Sequence, residues 1–136
     1  MRKGVLMGAC AGVALLLGIS SCATVPTEPL GEDEIRLLKM SVPENGNLRL
    51  GLSYSVEISF EANGQPEISR VVCYCAGEGP YYYTIRDVAY GSPGKLVMDF
   101  SPPEAGPQRV ECYADYMRGG RKQRTNPVFA RIFGLS

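Results

Sequence analysis

Hydrophobic and polar residues alternate along short segments of this chain from Ile35 onward. The clearest segment is Leu48–Phe60, in which apolar residues recur at every second position and serines and glutamates fill most positions between them. The apolar positions are Leu50, Leu52, Tyr54, Val56, Ile58 and Phe60, and the polar ones are Ser53, Ser55, Glu57, Ser59 and Glu61. Since successive side chains of a strand point to opposite faces, the segment predicts a strand with one buried face.

Seven segments of this kind follow one another, separated by residues that favour turns. They are Ile35–Val42, Leu48–Phe60, Ile68–Cys75, Tyr81–Ala89, Lys95–Phe100, Gln108–Met117 and Asn126–Phe133. Turns, loops or corners are predicted at Asn63–Gly64, Gly77–Pro80, Gly91–Gly94, Pro102–Pro107 and Gly119–Gly120. Short strands at this spacing predict an all-β fold, a seven-stranded antiparallel sandwich. A small eight-stranded barrel is the structural alternative.

The first 21 residues have the layout of a secretory signal. Arg2 and Lys3 give a cationic start, residues 4–19 are apolar or small, and small residues precede Cys22. The apolar stretch is short for a helix that crosses a bilayer, which takes roughly 20 residues.

The residues Ile19, Ser20, Ser21 and Cys22 resemble the lipobox of bacterial lipoproteins, an aliphatic residue and two small residues before a cysteine. The resemblance implies cleavage before Cys22 and fatty acyl chains, such as palmitate, on this residue. It also implies a lipid-anchored protein, and Ala23 in the next position indicates the outer membrane, with the domain facing the periplasm.

These boundaries divide the chain into three parts. Residues 1–21 are the predicted signal peptide, and residues 22–33 are the lipidated cysteine followed by a flexible tether rich in proline and acidic residues. Residues 34–136 form the predicted sandwich domain.

Composition narrows the possible functions. The chain has 14 basic and 14 acidic residues, so it lacks the positive excess of a nucleic-acid-binding protein. It contains no histidine, which removes the commonest general base and the usual zinc ligand. We therefore expect no enzymatic activity, no catalytic residues, no cofactor and no bound metal.

A second resemblance lies near the predicted sixth strand. Glu104, Gly106 and Gln108, followed by Val110 and Cys112, resemble the corner that enters this strand in immunoglobulin-like and fibronectin type III-like domains. The resemblance extends to architecture alone, because the buried tryptophan and the corner tyrosine of the family are missing.

Three cysteines belong to the predicted domain: Cys73, Cys75 and Cys112. Cys73 and Cys75 are two positions apart on one predicted strand, so their side chains point to the same side. Their α-carbons would lie about 6.6 Å apart with nearly parallel side chains, which is poor geometry for a disulfide between them. In an oxidising compartment Cys112 is therefore expected to pair with Cys73 or, as the alternative, with Cys75. The immunoglobulin-like arrangement implies that this bridge joins neighbouring strands.

Two groups of residues are candidates for binding a partner. Tyr81, Tyr82 and Tyr83 are consecutive, so at least one ring should face outward and could contact a protein or glycan. Arg118, Arg121, Lys122 and Arg124 surround the predicted hairpin turn and could meet an anionic partner. The simpler interpretation of the tyrosines is that their rings cover the sheet. The simpler interpretation of the four cations is that they keep the hairpin tip soluble.

The sequence thus favours a lipid-anchored binding or structural module with a protein partner in the cell envelope and no nucleic-acid partner. One alternative is a thiol-based redox or copper(I)-binding protein that uses the three cysteines. Another is an inhibitor or binder of cell-wall enzymes or glycans, which is an analogy at the level of the fold.

Overall fold

The computed structural model describes residues 26–136 and shows a sandwich of two β-sheets. The strands are β1 (Ile35–Ser41), β2 (Asn47–Arg49), β3 (Tyr54–Ala62), β4 (Ile68–Cys75), β5 (Glu78–Tyr83), β6 (Ile85–Ala89), β7 (Gly94–Phe100), β8 (Gly106–Arg118), β9 (Arg121–Arg124) and β10 (Val128–Leu135), with a 3-10 turn at Glu44–Gly46. The all-β prediction is confirmed. The described residues form ten strands in place of the seven that the pattern predicted.

One sheet has four strands, in the order β1-β3-β7-β6, and all of its pairs are antiparallel. The other has six strands, in the order β2-β10-β8-β4-β5, and β9 also pairs with β8. In this larger sheet β2 runs parallel to β10, whereas its other pairs are antiparallel.

Apolar side chains from both sheets meet in one core. As the alternation predicted, Val56, Ile58 and Phe60 of β3 are buried, and so are the three inward residues predicted on each of β7 and β8. Those residues are Leu96, Met98, Phe100, Val110, Cys112 and Ala114. Burial of one large apolar side chain stabilises a fold by about 1.5–3 kcal/mol, so this core is the main source of stability.

The segment predicted as one strand, Leu48–Phe60, is divided in the structure. Leu48 is buried in β2 of the six-stranded sheet, whereas β3 belongs to the four-stranded sheet. Residues 50–53 carry the chain from one sheet to the other, and the side chain of Leu52 is 50% exposed. The alternating pattern continued through this crossover, so the predicted inward position of Leu52 was wrong.

The segment Tyr81–Ala89 is divided for the same reason. Its first part lies in β5, at the edge of the six-stranded sheet, and its second part is β6, at the edge of the four-stranded sheet. The predicted loop Gly77–Pro80 was also wrong in extent. The turn lies at Ala76 and Gly77, which both have positive φ, and β5 begins at Glu78.

The hairpin predicted at Gly119–Gly120 is confirmed, because Arg118 of β8 is paired with Arg121 of β9 directly across this turn. Strand β9 itself was not predicted. The predicted corner Pro102–Pro107 ends earlier than expected, since β8 already begins at Gly106.

Residues 26–33, the described part of the predicted tether, are bound to the sandwich from residue 28 onward. The Arg118 Nε atom donates a hydrogen bond to the Glu32 carbonyl oxygen at 2.9 Å, and Arg36 donates to the Glu28 carbonyl oxygen. Asn63 donates to the Leu30 carbonyl oxygen at 3.4 Å.

The structure from residue 26 onward has no helix with the length and hydropathy needed to cross a bilayer.

Candidate functional site

The three consecutive tyrosines on β5 point to opposite sides of the six-stranded sheet. Tyr81 and Tyr83 pack against the core, and the Tyr83 hydroxyl donates a hydrogen bond to the Ser101 carbonyl oxygen at 3.0 Å. Tyr82 faces outward and is 55% exposed. Of the three rings proposed from the sequence, Tyr82 is therefore the one that is open to a partner on this face.

Tyr82 belongs to a continuous set of contacts across the outer face of this sheet. The Arg70 guanidinium lies 4.3 Å from the centre of the Tyr82 ring, within the range of a cation–π interaction. The Arg70 Nε atom also donates to Asp115 at 3.1 Å. Arg124 donates two hydrogen bonds to the same carboxylate, at 2.8 and 3.2 Å. Asp115 thus links cations from β4 and β9.

The two arginines determine the charge state of Asp115. Its side chain is 3% exposed, and burial alone would raise the pKa of the carboxyl. Hydrogen bonds from Arg124 have the larger effect, and with those from Arg70 they lower the pKa of Asp115 below its ordinary value. The carboxylate is therefore charged at neutral pH and holds both guanidinium groups in place.

A second aromatic pair extends this face along β4 and β8. The rings of Tyr74 and Tyr113 meet edge to face with their centres 6.3 Å apart, and Arg124 lies 5.7 Å from the centre of the Tyr113 ring. The Tyr113 hydroxyl donates a hydrogen bond to Glu111. This bond, together with burial, raises the pKa of Tyr113 to about 12, so its hydroxyl remains a donor at neutral pH.

The face continues onto β10. The Arg109 guanidinium lies 4.0 Å from the centre of the Phe129 ring, and Phe133 on the same strand is 45% exposed. Arg131 lies directly opposite Arg109 in the strand register. The residues Tyr74, Tyr82, Tyr113, Phe129 and Phe133, with Arg70, Arg109, Arg124 and Arg131, are called the aromatic–arginine face below.

Most of this face was missed in the sequence. Only Tyr82 and Arg124 were candidates, and they were assigned to two separate groups. The alternation that correctly placed Val110, Cys112 and Ala114 in the core also implied that the residues between them face outward. Applied to the outward positions, the same rule would have identified Arg109, Glu111 and Tyr113.

Val72 shows how closely the side chains of this face pack. It is 0% exposed, yet it lies outside the cluster of residues that forms the core of the sandwich. In the strand register it lies between Tyr82 on β5 and Tyr113 on β8. Side chains on the outer face therefore cover Val72 completely, which makes this face an ordered layer.

The outer face of the four-stranded sheet is different. Its strand β3 presents serines and glutamates outward, and three ion pairs lie across the sheet. The pairs are Arg36 with Glu61, Lys95 with Glu57, and Arg86 with Asp99. Small polar side chains and paired charges are typical of a solvated surface.

The four cations that were predicted to form one group around the hairpin have different surroundings in the structure. Arg124 is held by Asp115 on the aromatic–arginine face, and Arg118 is bonded to the Glu32 carbonyl oxygen. Arg121 and Lys122 are exposed, and neither forms an ion pair with a carboxylate of residues 26–136. The hairpin thus presents two cations to solvent, with Arg118 beside them.

The predicted bridge between Cys112 and Cys73 is present, and the two cysteines are direct partners of neighbouring strands β8 and β4. Among residues 26–136, Cys75 is buried and lies outside the disulfide as a free thiol. Burial raises its pKa to about 11, although a hydrogen bond with Tyr83 acts in the opposite direction. A thiolate is the reactive form of cysteine, so these properties do not favour thiol exchange at Cys75.

Potential metal ligands do not come together in the described part of the chain. No group of three or more histidine, cysteine or acidic side chains has the geometry to hold a metal ion between residues 26 and 136. Two of the three sulfurs needed for the copper(I) hypothesis are joined in the disulfide.

Comparisons of the sequence with protein families and with curated proteins found no relative. No protein-family model matches the chain, and no curated protein is significantly similar to it in sequence. Only the arrangement of the side chains described above then indicates a function. The predicted lipidation site, Cys22, lies outside the described residues.

Proposed function

We propose that this protein is a lipid-anchored binding module of a bacterial cell envelope, and that the aromatic–arginine face binds a protein partner. The observation that carries the proposal is the set of contacts among four aromatic rings and three arginines on one side of the six-stranded sheet, with Phe133 exposed on the same side.

The composition of the face suits protein recognition. Tyrosine, phenylalanine and arginine are enriched at the centres of protein interfaces and account for much of their binding energy. Three arginines already lie over aromatic rings, so binding would immobilise fewer free rotamers. The four arginines exceed the two carboxylates of the face, Glu111 and Asp115, which favours a partner with acidic groups.

The strand order supports the finer proposal of an immunoglobulin-like sandwich. Sheets of the order β1-β3-β7-β6 and β10-β8-β4-β5 match the two sheets of that architecture, with β8 in the place of its sixth strand. In this chain the disulfide lies within one sheet, whereas immunoglobulin domains have a bridge between sheets.

The anchor is proposed from the lipobox. Two or three acyl chains on Cys22 would hold the domain stably at a membrane, whereas a single chain is marginal. The outer membrane, facing the periplasm, is the proposed location. A Cys22→Ser variant should move from the membrane fraction to the soluble fraction or remain unprocessed, and mass spectrometry of the wild-type N-terminal peptide should show acylation.

Photo-cross-linking in the native envelope tests the binding face. A benzoylphenylalanine probe at Phe133 or Tyr82 should yield the same cross-linked partner, whereas a probe at Glu57, on the solvated face, should not. Arg131→Glu should abolish this product, and Lys39→Glu, which reverses an exposed cation on β1, should leave it intact. Equal products from both faces, or no effect of Arg131→Glu, would overturn the proposal.

A further inference from the structure

The N-terminal segment is fixed to one end of the sandwich. Glu28, Leu30 and Glu32 each accept a hydrogen bond through their carbonyl oxygens, from Arg36, Asn63 and Arg118 respectively. The Gly31 amide donates to the Glu34 side chain at 2.7 Å. These contacts leave little freedom between residue 28 and the first strand.

The hairpin between β8 and β9 lies at the same end. The Arg118 guanidinium, which bonds to Glu32, also packs so closely over Gly31 that a β-carbon there would lie 2.5 Å from its Nη2 atom. Pro26, Glu28 and Pro29 border one cleft of about 450 Å³ together with residues 123–126. The hairpin and the N-terminal segment are therefore neighbours.

Chain length limits the distance between this end and the anchor. Glu28 is six positions after Cys22, and a fully extended chain advances at most about 3.6 Å per residue. Chain length therefore keeps Cys22 within about 22 Å of the docked segment. The opposite end of the domain is farther away, since the 13 residues of β8 span about 40 Å from Gly106 to the hairpin.

The hairpin has a charge that suits a membrane surface. Arg121 and Lys122 are exposed, and Arg118 uses a backbone carbonyl as its partner, so its charge is not neutralised by that bond. Cations within a Debye length of anionic lipid headgroups are attracted to them. Glu32 and Asp33 belong to the same end, so the attraction depends on the hairpin cations and not on the net charge of the whole end.

On the basis of the lipid anchor proposed above, we infer that the β8–β9 hairpin docks on the anionic phospholipid headgroups of the membrane that holds the chain. The hairpin and the anchor would then form two points of attachment. With this end on the bilayer, β8 stands away from the membrane and the aromatic–arginine face points sideways. A partner held in the same membrane could reach that face.

Fluorescence quenching on vesicles tests this orientation. The mature lipidated chain carries a fluorophore at Gln123→Cys, beside the hairpin, or at Ala105→Cys, at the opposite end. Vesicles contain about three parts phosphatidylcholine to one part phosphatidylglycerol, with a headgroup-attached spin-label quencher. We expect several-fold stronger quenching at position 123 than at position 105, and a decline at position 123 in vesicles of phosphatidylcholine alone.

Substitution of the hairpin cations tests whether they hold the hairpin at the vesicle surface. Arg121→Gln with Lys122→Gln should reduce quenching at position 123, because each cation removed weakens contact with an anionic surface roughly five-fold. Lys39→Gln with Arg49→Gln, which removes two exposed cations elsewhere, should have no such effect. Sedimentation with vesicles should be unchanged in both variants, because acyl chains carry the attachment.

The outcomes separate the two proposals. A chain that carries no acyl groups and does not sediment with vesicles would overturn the anchor and this orientation together. A lipidated chain that sediments but shows equal quenching at positions 105 and 123, or quenching unaffected by the hairpin substitutions, would overturn the docking alone.

Discussion

Arg124 and Asp115 form the central contact of the aromatic–arginine face: the guanidinium of one donates two hydrogen bonds, at 2.8 and 3.2 Å, to the carboxylate of the other. The carboxylate is buried although it belongs to the outward side of β8. Arg70 supplies a third hydrogen bond and extends the contact to the Tyr82 ring. Removal of Asp115 would therefore disturb the fold and the proposed binding face together.

The first prediction concerns the stability that Asp115 provides. Asp115→Asn should lower the free energy of unfolding by about 1–3 kcal/mol, because two guanidinium groups lose their anionic acceptor. Asp99→Asn is the control, since Asp99 forms a more exposed pair with Arg86, and its cost should stay below about 1 kcal/mol. Urea denaturation measures both values, and equal losses would contradict the role assigned to Asp115.

The second prediction is a dependence on pH. The pKa of Asp115 is lowered in the folded protein, so its contribution is present above the unfolded value of about 3.9 and is lost as the pH falls through the folded value. The difference in stability between wild type and Asp115→Asn should be constant above about pH 5 and should shrink below about pH 4. Denaturation curves across this range would refute the prediction if the difference grew in acid.

The third prediction concerns the disulfide. The bridged cysteines are separated by 39 positions in the sequence, and closing a loop of this size stabilises a fold by about 4 kcal/mol in the chain-entropy model. Cys73→Ala with Cys112→Ala should lose at least this amount, and the variant should no longer respond to reductant. Cys75→Ala removes a buried sulfur without cutting a cross-link, so it should cost about 1 kcal/mol and remain sensitive to reductant.

The fourth prediction tests the thiol hypothesis at Cys75. Its thiol is buried and has a pKa of about 11, so iodoacetamide at neutral pH should leave it unmodified in the folded protein and alkylate it after denaturation. Peptide mapping by mass spectrometry identifies the site. Rapid alkylation of Cys75 in the folded state would revive the redox hypothesis.

The fifth prediction concerns a close approach between two backbones. A β-carbon at Gly134 would lie 2.1 Å from the Glu104 carbonyl oxygen, and backbone cannot move aside as a side-chain tip can. Gly134→Ala should therefore destabilise the protein by about 2 kcal/mol or more. Gly91→Ala is the matched control, because its β-carbon would be 3.5 Å from its nearest neighbour. Thermal unfolding should show a lower midpoint for the first variant only.

The sequence predicted those features that depend on local periodicity. Alternation identified the buried faces of β3, β7 and β8, because a strand repeats every two residues whichever sheet it joins. It could not show that Leu52 lies in a crossover or that Tyr81–Ala89 divides between two sheets. Periodicity contains no information about which strands are neighbours.

The disulfide was predicted in part from the sequence and decided in part by the pairing of the strands. Spacing alone reduced the choice to Cys112 with Cys73 or Cys75, and the register of β4 against β8 then selected Cys73. Register depends on how a whole strand pairs with its neighbour, and a shift of two residues would have placed Cys75 opposite Cys112 with the same side chains facing inward.

By itself the sequence determined an all-β fold for residues 34–136, the inward positions on β3, β7 and β8, and the hairpin at Gly119–Gly120, since each follows from residues close together in the chain. Tertiary structure alone decided that Arg70, Tyr82, Asp115 and Arg124 meet on one face. These residues come from four different strands, and only the pairing of β5, β4, β8 and β9 brings their side chains within a few ångströms of one another.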